Sequence, residues 1–129
     1  MVITNKQEYQ YGLKHELLLK PVLEKFVGKE LQGTKQFDTF DFVGEDITIE
    51  LKSRKNCYNK YPTTIVGMNK IEKIKEGEKV LFVFNFTDGL YYWEYCENNF
   101  KVVNIKRRDR NNKGKPHLSI PITSLKKLE

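Results

Sequence analysis

The stretch that decides the fold is FDFVGEDITIELK, residues 40–52. Apolar and polar residues alternate on both sides of Gly44-Glu45, which is the pattern of a β-hairpin with one buried face and one polar face. With a two-residue turn at Gly44-Glu45, the buried face collects Phe40, Phe42, Ile47, Ile49 and Leu51. The polar face then collects Thr39, Asp41, Thr48, Glu50 and Lys52.

Two carboxylates are therefore expected on one face of the hairpin. In the two-residue register Asp41 lies opposite Thr48 and is a diagonal neighbour of Glu50, with Cα atoms roughly 7–8 Å apart. Two carboxylates at that range can share a hard cation such as Mg²⁺, which prefers oxygen ligands. A three-residue loop would move Asp41 to the other face and make Asp38 the candidate. A solvated face with a cross-strand salt bridge is the alternative interpretation of these charges.

A helix is predicted before the hairpin and another one after it. Over Lys6–Val27 apolar residues recur at intervals of three and four, and Gly28 is expected to end this helix. Pro21 removes one backbone donor, so it is expected to kink or divide the helix. After a polar loop at 56–62, the segment Thr63–Lys75 is predicted to form a shorter helix.

The rest of the chain is predicted to be strands. KVLFVFNF, residues 79–86, is almost continuously apolar, which is typical of a central strand covered on both faces. Further strands are predicted at Leu90–Tyr95, at Phe100–Arg107 on an edge, and at His117–Ile122. The predicted fold is therefore an α/β domain with a mixed sheet flanked by helices, formed by residues 1–129 as one domain.

Composition limits the classes of partner. The chain has 129 residues and a net charge of +6, so we expect a single core and a polyanion such as nucleic acid as partner. Cys57 and Cys96 lie in no Cys-x-x-Cys pair, which argues against a zinc site or a disulfide framework. No signal-peptide pattern or membrane-spanning run is present, so we expect a soluble intracellular protein of the cytoplasm or nucleus with no membrane partner.

Asp41, followed after eight residues by Glu50-Leu51-Lys52, resembles the signature of the PD-(D/E)XK nuclease superfamily. In that signature an aspartate begins one strand and an acid-x-lysine follows on the next. Gly12-x-x-x-Glu16 is similar to the helix acid that often precedes the signature, and Lys70 lies where many members carry a lysine or glutamine. Phe40 stands in place of the proline of the name, at a position that varies in the superfamily.

The resemblance implies a restriction-endonuclease-like fold and a Mg²⁺-dependent hydrolysis of DNA phosphodiester bonds, with Mn²⁺ able to substitute. Asp41 and Glu50 would hold the metal, with Glu16 as a direct or water-mediated ligand. Lys52 would orient the attacking water, neutralise the developing charge or act as base. Lys70 would contact a phosphate near the scissile one.

A run of cations between the last two predicted strands is a candidate DNA-binding loop. Its members are Lys106, Arg107, Arg108, Arg110 and Lys113, and Arg54 and Lys55 would extend the basic surface next to the site. A solvated hairpin connection is the alternative. The aromatic residues Tyr91, Tyr92, Trp93 and Tyr95 are expected to pack in the core rather than stack on bases, and His15 to pack locally.

The function predicted from the sequence is a structure-specific or weakly sequence-specific endonuclease. One alternative is a nuclease similar to Holliday-junction resolvases, which would act as a homodimer. Another is a DNA-binding module that retains the nuclease fold without catalysis. The intact set of Asp41, Glu50 and Lys52 favours an enzyme, because a module released from catalysis does not need two repelling carboxylates side by side.

Overall fold

The computed structural model describes residues 5–33, 40–96, 100–105 and 114–128. Helix α1 (Asn5–Val27) confirms the first predicted helix, and it runs through Pro21 without being divided. Gly28 ends it with a φ of +72°, a conformation in which glycine has no steric penalty. The turn is held by the Gly28 amide, which donates to Glu24 O at 2.8 Å, and by the Leu31 amide, which donates to Glu24 Oε2 at 2.8 Å.

The structure describes a short second helix and two sheets. Helix α2 is Met68–Glu72. The strands are β1 (Gln32–Gly33), β2 (Phe42–Val43), β3 (Thr48–Ser53), β4 (Thr63–Gly67), β5 (Val80–Phe86), β6 (Gly89–Glu94), β7 (Val102–Ile105), β8 (Lys115–Pro121) and β9 (Lys126–Lys127). Within the described residues one sheet has the order β1-β2-β3-β5-β6-β9 and the other the order β4-β8-β7. Because β3 and β5 are parallel while the other pairs of the large sheet are antiparallel, the predicted mixed sheet is confirmed.

The predicted helix at Thr63–Lys75 is wrong over its first part. Thr63–Gly67 forms β4, and the helix is confined to Met68–Glu72. Thr63, Thr64, Ile65 and Val66 are all β-branched, which favours a strand, and β8 supplies a hydrogen-bonding partner for them. The small sheet that results was not expected, since the later strands were predicted to extend a single sheet.

The core lies on both faces of β5, as predicted for a central strand. On one face Leu81 and Val83 belong to a cluster that includes Leu23 of α1. On the other face Phe82 and Phe84 pack with residues of the small sheet, namely Val66, Leu118 and Ile120. The large sheet is thus covered by α1 on one side and by the small sheet on the other.

The hairpin forms with a longer loop than predicted. Phe42 pairs with Ile49 and Val43 with Thr48, so residues 44–47 make a four-residue connection in place of the expected two-residue turn. The shift is two residues, and because side chains alternate with a period of two, Phe42, Ile49 and Leu51 stay on their predicted face and pack in the cluster that includes Leu23. Phe40 was predicted for the same face, but it packs in the other cluster, because it precedes β2 and does not follow the alternation of the strand. Asp38 and Thr39 lie outside the described residues.

No helix among the described residues is both long enough and apolar enough to cross a membrane.

Candidate active site

Glu50 is the buried centre of the site. It lies in the middle of β3, beside Phe82 of β5, and its side chain is only 4% exposed. Its two oxygens face two different ammonium groups, because Oε1 is 3.5 Å from Lys52 Nζ and Oε2 is 3.4 Å from Lys70 Nζ. Oε2 is buried and accepts no hydrogen bond in the structure. Glu50 is therefore not part of a solvated hairpin face, which excludes that alternative for this residue.

Asp41 is held against the edge of β3 by the backbone. Its amide donates to Ile49 O at 3.1 Å, and its carboxylate Oδ2 accepts a hydrogen bond from the Leu51 amide at 2.7 Å. These two bonds flank Glu50 in the sequence, so the carboxylate of Asp41 is fixed next to that of Glu50. Leu51 has no partner residue in β2, and the side chain of Asp41, just before β2, accepts the hydrogen bond of its amide instead.

Glu16 brings a third carboxylate from α1. Its side chain hydrogen-bonds to that of Asp41, and partial burial, this hydrogen bond and the charges of Asp41 and Glu50 raise the pKa of Glu16 to about 8. The pKa of Glu50 is also raised, to about 7, by burial and by the charge of Asp41, although Lys52 and Lys70 oppose the shift. Near neutral pH this cluster therefore holds protons that isolated carboxylates would have lost.

Two lysines complete the cluster from different elements. Lys52 lies two residues after Glu50 on β3, and Lys70 comes from α2, which is anchored to the core by Met68 and Ile71. The Lys52 and Lys70 side chains are 32% and 21% exposed, so both reach from the buried carboxylate towards solvent. The structure thus brings together Glu16, Asp41, Glu50, Lys52 and Lys70, the five residues predicted to be catalytic.

In the part of the chain that the structure describes, no three His, Cys, Asp or Glu side chains form a ready metal cage. The oxygens of the cluster are instead engaged by the Leu51 amide, by the two ammonium groups and by each other. The donor set is nevertheless of the kind that Mg²⁺ takes, since it consists of carboxylate oxygens, one of them buried without a hydrogen bond. A divalent cation would compete here with protons and with the lysine ammonium groups.

The predicted nucleic-acid-binding residues fall into two groups. Arg54 joins the two sheets, because its Nη2 donates to Ile65 O at 2.7 Å, and its guanidinium lies 6.0 Å from the centre of the Phe84 ring. Lys55 is exposed, and its Nζ lies 4.7 Å from the centre of the Tyr11 ring. Lys106, Arg107, Arg108, Arg110 and Lys113 lie outside the described residues. Because Ile105 pairs with Lys115, the segment that carries them does connect two antiparallel strands, as predicted.

His15 makes a contact that the sequence did not indicate. Its Nδ1 lies 3.0 Å from Asn85 Nδ2 at the end of β5, and the Asn85 amide also donates to Ser53 Oγ at 3.3 Å. The Tyr11 ring lies 4.5 Å from the His15 ring. These contacts tie α1 to the ends of β3 and β5 and thereby help to position Glu16. The only indication of this role in the sequence is that His15 directly precedes Glu16.

The aromatic residues of β6 pack against the core, as predicted, although Tyr91 and Tyr92 are only half-buried. Trp93 is buried, and Tyr91 stacks on Tyr58 with ring centres 4.0 Å apart.

Comparisons with protein-family models, with curated proteins and with solved structures find no match for this chain.

Proposed function

We propose that this chain is a Mg²⁺-dependent nuclease of the PD-(D/E)XK type, with a restriction-endonuclease-like fold, that hydrolyses phosphodiester bonds of DNA. The observation that carries the proposal is the convergence of five residues from separate parts of the chain. Glu16 of α1, Asp41 before β2, Glu50 and Lys52 of β3 and Lys70 of α2 meet at one place, in the element order that the signature requires.

The side chains of the site suit a divalent cation both in the type of ligand atom and in their charge. Asp41 and Glu50 would hold the ion, with Glu16 as a direct or water-mediated ligand. Burial and the mutual repulsion of these carboxylates raise the pKa values of Glu16 and Glu50, and a bound cation would relieve that repulsion. When bound, such an ion supplies a Lewis acid and lowers the pKa of a coordinated water.

The two lysines would bind the phosphate groups and orient the attacking water. Lys52 lies beside Glu50 and is partly exposed, so its ammonium group can orient a water and stabilise the negative charge that develops on the phosphate. Lys70 lies beside the other carboxylate oxygen of Glu50, Oε2, and would contact a neighbouring phosphate. A cation that paired with Glu50 would leave both ammonium groups available to the substrate.

A DNA-binding module without catalysis is the rival that this site disfavours. Burying Glu50 beside two other carboxylates works against stability, and a module that only binds DNA gains nothing from it. Perturbed carboxylates held together by several elements are typical of catalytic sites.

The test is a cleavage assay on supercoiled, linear and branched DNA in Mg²⁺, with Mn²⁺ in parallel. Glu50→Gln and Asp41→Asn each keep the shape of the side chain but remove a metal-binding charge, so cleavage is expected to fall by at least about a hundredfold. Asp46→Asn is the matched control, because Asp46 is an exposed carboxylate of the same hairpin and pairs only with Lys29 among the described residues. Its cleavage is expected to equal that of the wild type.

Wild-type protein that leaves all three DNA forms intact in both metals contradicts the proposal. So does a Glu50→Gln variant that cleaves at the wild-type rate.

A further inference from the structure

A cavity of about 510 Å³ opens at the far end of β3 from Glu50. It is bounded by the connection between β3 and β4, by the end of β7 and by the turn after β8, and its walls include Arg54, Tyr58, Tyr61, Phe86, Ile105 and Ile122. Its volume lies within the range of pockets that take small organic ligands. None of the residues predicted to be catalytic lines it.

The inner wall is apolar and rigid. Tyr58 donates its hydroxyl hydrogen to Ile122 O at 2.8 Å, while its ring stacks on Tyr91 with an interplanar angle of 7°. Phe86 meets the Tyr58 ring edge to face, with ring centres 5.9 Å apart. This wall is therefore fixed before any ligand arrives, which keeps the entropic penalty of binding low.

Tyr61 stands at the mouth and is 54% exposed, unlike the aromatic residues of the wall. An exposed ring beside an apolar cavity offers a face for a second flat ring. Lys60 Nζ lies 5.5 Å from the centre of the Tyr61 ring, which puts a cation at the rim.

Two cationic side chains lie at the cavity. Arg54 forms part of the wall, and Lys60 lies at the rim. A partner that presents a flat ring to the cavity and negative charge around it has the chemistry of a nucleotide in a nucleic-acid strand.

The cavity is also close to the proposed site of cleavage along the same strand. Arg54 follows Lys52 by two residues, so their Cα atoms are about 7 Å apart in extended backbone. A strand whose phosphate lies at Lys52 would therefore bring a base within reach of the cavity. A base inside a duplex is covered by its neighbours on both sides, so only an unpaired or flipped base could enter.

We propose that this cavity binds one unpaired nucleobase, stacked on Tyr61, of the DNA strand held at the carboxylate site. The inference rests on the proposed nuclease function and adds a substrate class to it, namely DNA with an unpaired nucleotide next to the cleaved bond.

The test compares a short single-stranded DNA oligonucleotide with a blunt duplex of the same sequence, by fluorescence anisotropy in Ca²⁺. Tyr61→Ala is expected to weaken single-strand binding by about fivefold or more and duplex binding by less than about twofold, because it removes a stacking contact that only an unpaired base makes. Tyr61→Phe retains the ring and is expected to bind like the wild type. Phe26→Ala removes an exposed ring on α1, away from the cavity, and is the matched control.

A second readout uses 2-aminopurine placed in the single strand. Its fluorescence is quenched by stacking, so the wild type and Tyr61→Phe should quench it and Tyr61→Ala should not. Equal binding of both DNA forms by Tyr61→Ala and wild type, or equal losses on both, overturns the cavity assignment.

The cavity and the nuclease proposal can fail separately. Cleavage that depends on Glu50 together with binding that ignores Tyr61 rejects only the cavity. Single-strand binding that depends on Tyr61 without any cleavage rejects the nuclease and keeps the cavity as a base-binding site. Wild-type protein that binds neither DNA form rejects both.

Discussion

Glu50 determines how the site responds to pH, because its carboxylate is buried between two ammonium groups and next to Asp41. Burial and the charge of Asp41 raise the pKa of Glu50 to about 7, against a usual value of 4.5. In the unfolded chain the same carboxyl group loses its proton near the usual value. Between these two values the folded protein binds a proton that the unfolded chain does not, so folding is linked to proton uptake.

The first expectation at the residue scale concerns stability against pH. The stability linked to Glu50 is fully present below about pH 4.5 and is lost as pH rises through about 7, a change of at most about 3 kcal/mol. Glu16 acts in the same direction up to about pH 8. Glu50→Gln should remove the Glu50 part, so urea unfolding at about pH 5 and about pH 8.5 should show a smaller difference than in the wild type. An identical pH dependence in the variant would contradict the assigned titration of Glu50.

The second expectation compares two neighbours on β3. Lys52→Ala should reduce single-turnover cleavage in Mg²⁺ by on the order of a hundredfold, while DNA affinity in Ca²⁺ falls by no more than about one phosphate contact. Because Lys52 lowers the pKa of Glu50, the pH profile of the remaining activity should also move to higher pH. A Lys52→Ala variant that loses binding and cleavage in equal proportion would show that Lys52 only holds DNA.

Leu51→Ala is the control that truncates the neighbouring side chain on the buried face of the same strand. Leu51 is buried against α1, so its truncation should leave a cavity and lower the free energy of unfolding by roughly 2–5 kcal/mol. Urea unfolding of Lys52→Ala, whose side chain is partly exposed, should show a much smaller loss.

At the scale of the elements, β4 and α2 bring Lys70 to Glu50. β4 pairs with β8, and α2 begins at Met68, directly after Gly67, the last residue of β4. The short helix leaves little freedom for Lys70, since Met68 and Ile71 on either side of it pack against the core. The small sheet therefore positions one side of the active site as well as covering the large sheet.

The connection between β7 and β8 begins and ends close to the junction of β4 and α2. Lys115, where the connection ends, pairs with Ile105 of β7, and His117, two residues later, pairs with Gly67 of β4.

Replacing Arg107, Arg108 and Arg110 together by Gln should weaken DNA binding and reduce the slope of log K against log salt by up to about three units. Metal affinity should not change. The measurement is a set of binding isotherms at several salt concentrations.

A charge-matched control separates this loop from net charge. Replacing Lys25, Lys126 and Lys127 by Gln removes the same charge from exposed positions on α1 and on β9, the edge strand of the large sheet. If both triple variants give the same slope, the connection is an ordinary solvated hairpin connection.

At the scale of the whole molecule, β5 joins two hydrophobic clusters that lie on its two faces. Leu23 belongs to the cluster under α1, and Ile120 belongs to the cluster under the small sheet, which also contains Trp93. Since neither cluster can lose β5 and remain packed, we expect the two to unfold together.

Leu23→Ala and Ile120→Ala should each lower the free energy of unfolding by roughly 2–5 kcal/mol, because both side chains are fully buried. Both should shift the same urea transition, followed by Trp93 fluorescence and by far-UV circular dichroism. If Leu23→Ala shifts the circular dichroism transition but leaves that of Trp93 in place, the two clusters unfold separately.

Several features could be predicted from the sequence because they depend on residues close together in the chain. The period of apolar residues indicated α1, and the unbroken apolar run indicated that β5 is covered on both faces. The alternation over residues 40–52 placed Asp41, Glu50 and Lys52 on one face, and this grouping survived a wrong loop length because a shift of two residues preserves the faces.

Other features were decided by the tertiary structure. The strand character of Thr63–Gly67 depends on pairing with β8, which lies about fifty residues further along the chain. The ion pair of Lys70 with Glu50 and the contact of His15 with Asn85 likewise join residues that no local pattern relates. Burial of Glu50 depends on the elements that cover β3, and burial changes a carboxylate from a solvated charge into one that holds a proton near neutral pH. Periodicity is a local property of the chain, whereas strand pairing, burial and electrostatic environment are set by contacts between distant segments.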